Sequence, residues 1–338
     1  MVCFSISLLQ LILQMNILIT GAHGFLGKHL TQEIAARIVK SGQQHNFYMP
    51  RSHEMNCLDY QDFHDFVEKN YVDAVIHLAA QCGGIGANKE KPGDFFLNNA
   101  IMGINLLKIA KKLKLKKVLT LGTVCSYPKF TPVPFKEEDL WNGYPEETNA
   151  PYGFAKKNLL VGGEALSKQY GLNFVHLIPV NMYGEYDNFD LETSHVIPAM
   201  IRKFHEAKIS KQTSVKLWGD GSPSREFLYA GDCAKAILDA FDKYDKTNPI
   251  NIGAGLETNM KDLAIKIKDI IGYDGEIIWD SSKPNGQPRR SLDTTKAEKE
   301  FGFKASISLN EGLERTCKWY TNGIGRRFEF DYNQSNEE

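Results

Sequence analysis

Short apolar runs alternate with stretches of helical spacing through the first half of the chain, and this rhythm limits the fold more than any other feature. The runs lie at 16–20, 47–49, 74–80, 117–122 and 174–178. Between them, 25–40, 94–115 and 153–170 carry apolar residues at helical intervals. A strand that is apolar on both faces must be covered on both faces. Strands that alternate with helices form a parallel sheet, so the expected fold class is α/β with a doubly wound parallel sheet. After residue 180 the rhythm loosens. A helix is expected over 194–207, strands at 215–218 and 276–279, and an amphipathic helix at 259–271. These make a smaller C-terminal substrate lobe over the carboxyl ends of the sheet, while the helix 232–244 and the run 249–253 return to the first lobe. The expected division is a dinucleotide-binding domain over 15–180 with returning segments about 226–254, and a substrate-binding lobe over 181–330.

The turn after the first run reads Gly21-x-x-Gly24-x-x-Gly27. It follows a strand and opens a helix, the context in which such glycines let the backbone approach a pyrophosphate at a helix N-terminus. The sheet is therefore of the Rossmann type. A site for NAD usually places an acid about 20 residues beyond the glycines. None occurs from Phe47 to His53, where Arg51 and Ser52 stand instead, a pair suited to the 2′-phosphate of NADP(H).

Tyr152-x-x-x-Lys156 places a phenol and an ammonium on one helix face. The ammonium is expected to favour the tyrosinate and lower the phenol pKa. Thr123, at the end of the fourth run, can hold a substrate oxygen, and the three together suit hydride transfer at a carbinol or ketone. Cys125 lies two residues on, and in an extended segment would share a face with Thr123. His195 precedes Val-Ile-Pro. A second proton-transfer role is open to both, as are the plainer readings of a buried thiol and a structural histidine. Arg225 and the pair Arg289-Arg290 read as phosphate clamps or as solvated loop residues.

Composition narrows the rest. The formal net charge is −1 over 338 residues, which offers no electrostatic case for nucleic acid or an anionic membrane. The six cysteines are scattered without paired spacing, so neither a metal site nor a disulfide framework is expected, and a cytoplasmic home fits. Residues 1–14 are apolar but lack a basic start and a cleavage site, and are too short to span a bilayer. They read as an extension or an upstream start before Met15. The polar end from Asn333 reads as frayed.

Taken together, these segments resemble the extended short-chain dehydrogenase/reductases, and more narrowly the GDP-L-fucose synthases. The resemblance is carried by 20–27, His77-Leu78-Ala79-Ala80, 83–88, Cys125-Ser126-Tyr127-Pro128, Tyr152-x-x-x-Lys156, Ser194-His195-Val196-Ile197-Pro198, 218–227 and 282–289, and it covers nearly all of 15–322. It implies NADP(H) bound by Gly21, His23, Gly24, Phe25, Leu26, Gly27, Arg51, Leu78, Ala79, Ala80, Lys156 and His195. It implies Tyr152 as the acid of ketone reduction, Lys156 as its partner and Thr123 in place of the usual serine. Cys125 becomes the base and His195 the acid of an epimerisation beside the ketone. Asn181, Arg202, Lys203, Trp218, Arg225 and Arg289 would hold a nucleotide-diphosphate sugar, with GDP favoured. A homodimer pairing the helices 94–115 and 153–170 is implied as well. Thr123 departs from the family's usual serine, and His23 stands where some members carry an arginine. A 4-epimerase or plain 4-ketoreductase on another nucleotide sugar is the alternative, and a non-catalytic dinucleotide sensor the remote one.

Overall fold

A computed structural model of the chain describes residues 14–42, 45–283 and 285–323, without the side chains of Ser41 and Ile85. The expectations for 1–13 and for the polar C-terminus fall outside the described residues.

The central sheet is built from β1 (Asn16–Thr20), β2 (Asn46–Tyr48), β3 (Ala74–His77), β4 (Lys117–Leu121) and β5 (Asn173–Pro179). Further along the chain come β6 (Asn181–Tyr183), β7 (Ser214–Trp218), β8 (Ser224–Tyr229) and β9 (Ile250–Ile252). The central order is β2-β1-β3-β4-β5-β9, every pair parallel. Ile17, Leu18, Ile19, Val75, Ile76, Val118, Leu119, Phe174 and Val175 are all essentially without solvent exposure, as strands covered on both faces require.

The connecting helices are α1 (Phe25–Ser41), α2 (Tyr60–Lys69), α3 (Ile85–Glu90), α4 (Pro92–Leu113), α5 (Ala150–Tyr170), α6 (Val196–Ile209) and α7 (Ala230–Lys243). The chain runs from β1 out to β2, then back past β1 to β3. Right-handed crossovers therefore place α1 on one face of the sheet and α2, α4 and α5 on the other. In agreement, α4 packs with α2 and α5, while α7, which leads into β9 from the second lobe, packs with α1 on the other face. The reversal of direction beside β1 opens a crevice at the carboxyl ends of the strands, where ligands bind in sheets of this kind.

The last part adds β10 (Glu257–Asn259), α8 (Met260–Ile271), β11 (Glu276–Asp280), β12 (Arg289–Arg290), α9 (Thr295–Phe301) and α10 (Leu309–Thr321). β10, β8 and β12 form a small sheet to which β6 adds, and β7 pairs with β11. Beneath them lies a second apolar core around Phe204, Leu217, Leu263, Ile267 and Leu313. β9 joins the first sheet beside β5, and α7 packs in the first core.

Candidate active site

The glycine turn is forced by close approach. Gly21 sits at φ +71°, and a Cβ there would lie 2.7 Å from the Ala79 backbone nitrogen. A Cβ on Gly27 would lie 2.2 Å from the Gly21 carbonyl oxygen. Gly24 begins α1 with no side-chain cap and no acid in the first turn. The first-turn N–H groups, on Phe25, Leu26 and Gly27, have no intrahelical acceptor and form the positive end of the helix. That cradle fits a dinucleotide's diphosphate. Thr20 ties the turn to the next loop, its Oγ1 accepting from Ala79 N at 3.2 Å and pairing with His77 Nδ1 at 2.8 Å. Burial holds His77 neutral, its pKa pushed down to about 3. The strand expected over 74–80 ends at His77, because the next amides turn to Thr20. Leu78, Ala79 and Ala80 are thereby left as a half-buried wall.

At the end of β2, His23 Nε2 contacts the Met49 carbonyl at 2.8 Å. Arg51 is exposed, and its guanidinium has no partner among the described residues. Glu54, three residues on, accepts from the Arg51 backbone N–H at 2.7 Å. A cation left free in the loop that follows Met49 suits a phosphate on the ribose.

Thr123 and Cys125 do not share an extended face as expected. Thr123 is extended, but its hydroxyl oxygen accepts from Cys125 N at 3.2 Å and caps a short 3₁₀ turn, Val124–Ser126. A threonine oxygen presented to a following N–H favours such a turn over a continued strand. The bond uses a lone pair and leaves the Thr123 O–H free to donate. The turn sits on the start of α5: Ser126 Oγ donates to the Gly153 carbonyl at 3.0 Å, and a Cβ on Gly153 would lie 2.7 Å from the Cys125 carbonyl oxygen. Gly153 follows Tyr152, so this packing brings thiol and phenol into one cleft.

Lys156 lies one turn on, its Nζ 5.8 Å from the centre of the Tyr152 ring. Burial lowers its pKa to about 8. The expectation that Lys156 lowers the Tyr152 pKa is overturned. Burial first, then Cys82 and Cys125, push the phenol well above its ordinary value, because lost hydration disfavours the charged tyrosinate. The phenol is therefore held protonated.

Cys82 is a second thiol of the cleft that sequence reasoning passed over. It is exposed in area yet surrounded by protein, which raises its pKa, while Lys156, Asp187 and Cys125 also act on it. Its one signal was its place between the Leu-Ala-Ala run and Gly83-Gly84. Asp187 was also missed. One of its carboxylate oxygens is enclosed without a partner among the described residues, and burial pushes its pKa up to about 7.

His195 stands at the N-terminus of α6 with its imidazole exposed in area but surrounded by protein, which lowers its pKa. The loop before α3 supports that segment. Gly84 N donates to the Thr193 carbonyl at 2.9 Å, and a Cβ on Gly84 would lie 2.5 Å from the Ser194 carbonyl oxygen.

The remaining candidates divide. Asn181 is half-buried and donates to the Glu226 carbonyl at 3.2 Å. Trp218 is exposed, with Lys283 over its ring at 5.5 Å. Lys203 Nζ donates to the Lys216 carbonyl at 3.2 Å. Arg202 pairs with Glu206 at 2.8 Å and donates to the Phe189 carbonyl at 3.1 Å, engagements within the second core's surface. Arg225 is half-buried, its pKa lowered to about 10 by burial and then by the charge of Arg290. Arg289 is not the inward arginine of its pair. It is exposed and bound to Glu257, while its neighbour Arg290 is buried, with Nη1 3.6 Å from Cys125 Sγ. Strand alternation sends adjacent side chains to opposite faces, and register decides which turns inward.

A crevice at the sheet's switch point, a glycine cradle and a Tyr-Lys pair on the helix behind it mark a nucleotide-dependent enzyme of the short-chain dehydrogenase type. The chain belongs to the NAD dependent epimerase/dehydratase family, whose model matches residues 17–253. It is 40% identical to a probable GDP-L-fucose synthase 1 of Oryza sativa subsp. japonica over 81% of this chain and 84% of that protein. Its fold matches a GDP-6-OMe-4-keto-L-xylo-heptose reductase from C. jejuni with a TM-score of 0.85, at 27% identity over 91% of this chain and 98% of that one. A GDP-L-fucose synthetase from Naegleria fowleri bound to NADP matches with a TM-score of 0.82, at 26% identity over 92% and 95%.

Proposed function

We propose that this protein is an NADPH-dependent epimerase–reductase converting GDP-4-keto-6-deoxy-D-mannose, or a close relative, to GDP-L-fucose or its counterpart. The observation that supports the reading is the seating of the Cys125 turn on Gly153, which brings a thiol and a protonated phenol into one cleft, where they would act on one ketone. NADPH, when bound, supplies hydride. The glycine cradle would hold its diphosphate, Arg51 and His23 its 2′-phosphate, and Lys156 its nicotinamide ribose.

Protons beside a ketone are acidic because the resulting anion is an enolate. Thr123 O–H and Tyr152 O–H would donate to that oxygen and stabilise the developing charge. Cys125 takes a proton from one face of the flanking carbon and His195 returns one to the other, which inverts the centre. The lowered His195 pKa eases its release of that proton. Tyr152 then delivers its phenolic proton to the same oxygen during reduction, and its raised pKa keeps that proton available. One pocket thus serves both steps. Arg225 and Arg290, two cations on neighbouring strands, would take the substrate diphosphate.

A homodimer belongs to the same reading. Leu97, Ile101 and Ile104 lie three and four residues apart along α4 and stay exposed, as does Val161 on α5. A cytoplasmic home is consistent with a site that needs a free thiol. Among the described residues no helix is long and apolar enough to cross a membrane.

A plain 4-ketoreductase is the second reading, favoured by the fold match to the heptose reductase. Incubation with GDP-4-keto-6-deoxy-D-mannose and NADPH in deuterated water separates the two. NADPH oxidation with deuterium at both carbons flanking the former ketone is expected. Oxidation without label would leave the plain reductase, and no oxidation would sink the sugar assignment.

A further inference from the structure

We infer that Glu226 is the positioning residue that sets Arg225 and Arg290 as one diphosphate clamp, a role that rests on the nucleotide-sugar reading above. Glu226 is fully buried and has no cation partner among the described residues. Its carboxylate accepts four hydrogen bonds. Oε1 takes Ala254 N at 2.6 Å and Gly255 N at 2.8 Å, and Oε2 takes Ser291 Oγ at 2.8 Å and Leu292 N at 2.7 Å. A Cβ on Gly253 would lie 2.1 Å from Oε1, so that loop wraps the carboxylate only because residue 253 is glycine.

The three segments held this way matter for the site. Glu226 itself follows Arg225 on β8. Ser291 and Leu292 follow Arg290, and β12 is only two residues long, with Arg290 directly opposite Arg225. Two like charges facing each other across strands repel, and Arg290 adds to the lowering of the Arg225 pKa that burial chiefly causes. So short a strand cannot hold them together through its ladder alone. Phe135 N supports the same segment by donating to the Ser291 carbonyl at 2.8 Å. Glu226 adds two charge-assisted bonds just beyond Arg290 and ties the assembly to the loop leaving β9, an edge strand of the central sheet. The guanidinium itself is held by Gln287, whose Oε1 accepts from Arg290 Nε at 2.9 Å and from Nη2, leaving Nη1 at Cys125 Sγ, while Glu226 fixes the backbone and hydroxyl just beyond it. The substrate's diphosphate end and its reacting carbon are thus referenced to one buried carboxylate.

Glutamine in place of Glu226 must turn an NH₂ toward one of the two donor pairs, so that donor faces donor. The test is titration of the full-length protein with GDP and, separately, NADPH, for Glu226→Gln and for the milder Ser291→Ala, which deletes one bond. Glu226→Gln is expected to weaken GDP about tenfold, equivalent to about 1.4 kcal/mol, with NADPH affinity within twofold, and Ser291→Ala to weaken GDP by a smaller factor with its melting temperature nearly unchanged. Should Glu226→Gln fail to fold, Ser291→Ala decides alone. Unchanged GDP affinity, or equal losses for GDP and NADPH, would overturn the inference. Native protein that prefers UDP, with the same Glu226 dependence, would correct the base and leave the positioning role standing. Native protein that binds neither would overturn both.

Discussion

Tyr152, Cys125 and Asp187 show how far a side chain's chemistry depends on what surrounds it. Tyr152 carries a raised pKa and a proton to give, so Tyr152→Phe is expected to cut reduction by at least about 10²-fold, the scale of a lost general acid; near-normal turnover in a stopped assay of NADPH oxidation would reject that role. Cys125→Ser nearly keeps the size and removes the proposed base. Deuterium exchange beside the ketone should fall by a comparable factor while NADPH affinity stays the same, and unchanged exchange would remove Cys125 from the mechanism. Asp187 offers a test through stability. Its folded pKa is about 7, against about 3.9 in an unfolded chain. The folded state holds the proton more tightly, so the group's contribution is full below pH ~4 and is lost as pH rises through 7. Asparagine keeps the acceptor for Asn188 N and cannot ionise. Asp187→Asn should raise the melting temperature by about 2–4 °C more at pH 8 than at pH 5, the effect of about 1 kcal/mol once partial exposure is allowed for. A gain equal at both pH values would show that the carboxyl does not titrate there.

Among the elements, the turn from β1 into α1 is the most constrained. Gly21 combines a left-handed backbone with contact against Ala79, so Gly21→Ala meets both strain and collision. A loss of about 1–3 kcal/mol in stability is expected, with at least tenfold weaker NADPH binding by fluorescence titration. Retained affinity would mean that the cradle does not hold the cofactor. This element was fully legible in the sequence, because glycine spacing and the flanking periods state local geometry. The 3₁₀ turn at Val124–Ser126 was not. Whether Thr123 continues a strand or caps a turn depends on α5 packing beneath it, and that contact spans 27 residues of chain. The choice between Arg289 and Arg290 was hidden in the same way, since the register of β12 against β8 is a tertiary pairing.

In the whole molecule, α4 and α5 pack closely, and a Cβ on Gly162 would lie 2.5 Å from Leu107 Cδ1. Their outer apolar stripe is the surface on which a second copy is proposed to sit. Leu97→Glu combined with Ile104→Glu should convert a dimer to a monomer in sedimentation velocity without loss of fold. A native protein that is already monomeric, or a variant that stays dimeric, would refute that interface. By itself the sequence determined the parallel sheet, most of its strands and the residue types of the site, because burial period, glycine spacing and a four-residue Tyr-Lys interval are local properties. Only the tertiary structure decided which arginine faces the thiol, that Cys82 and Asp187 share the cleft, and that Tyr152 is held protonated. Each of these turns on burial and on contacts between distant segments, and the hydration lost by a side chain cannot be read from its neighbours in sequence.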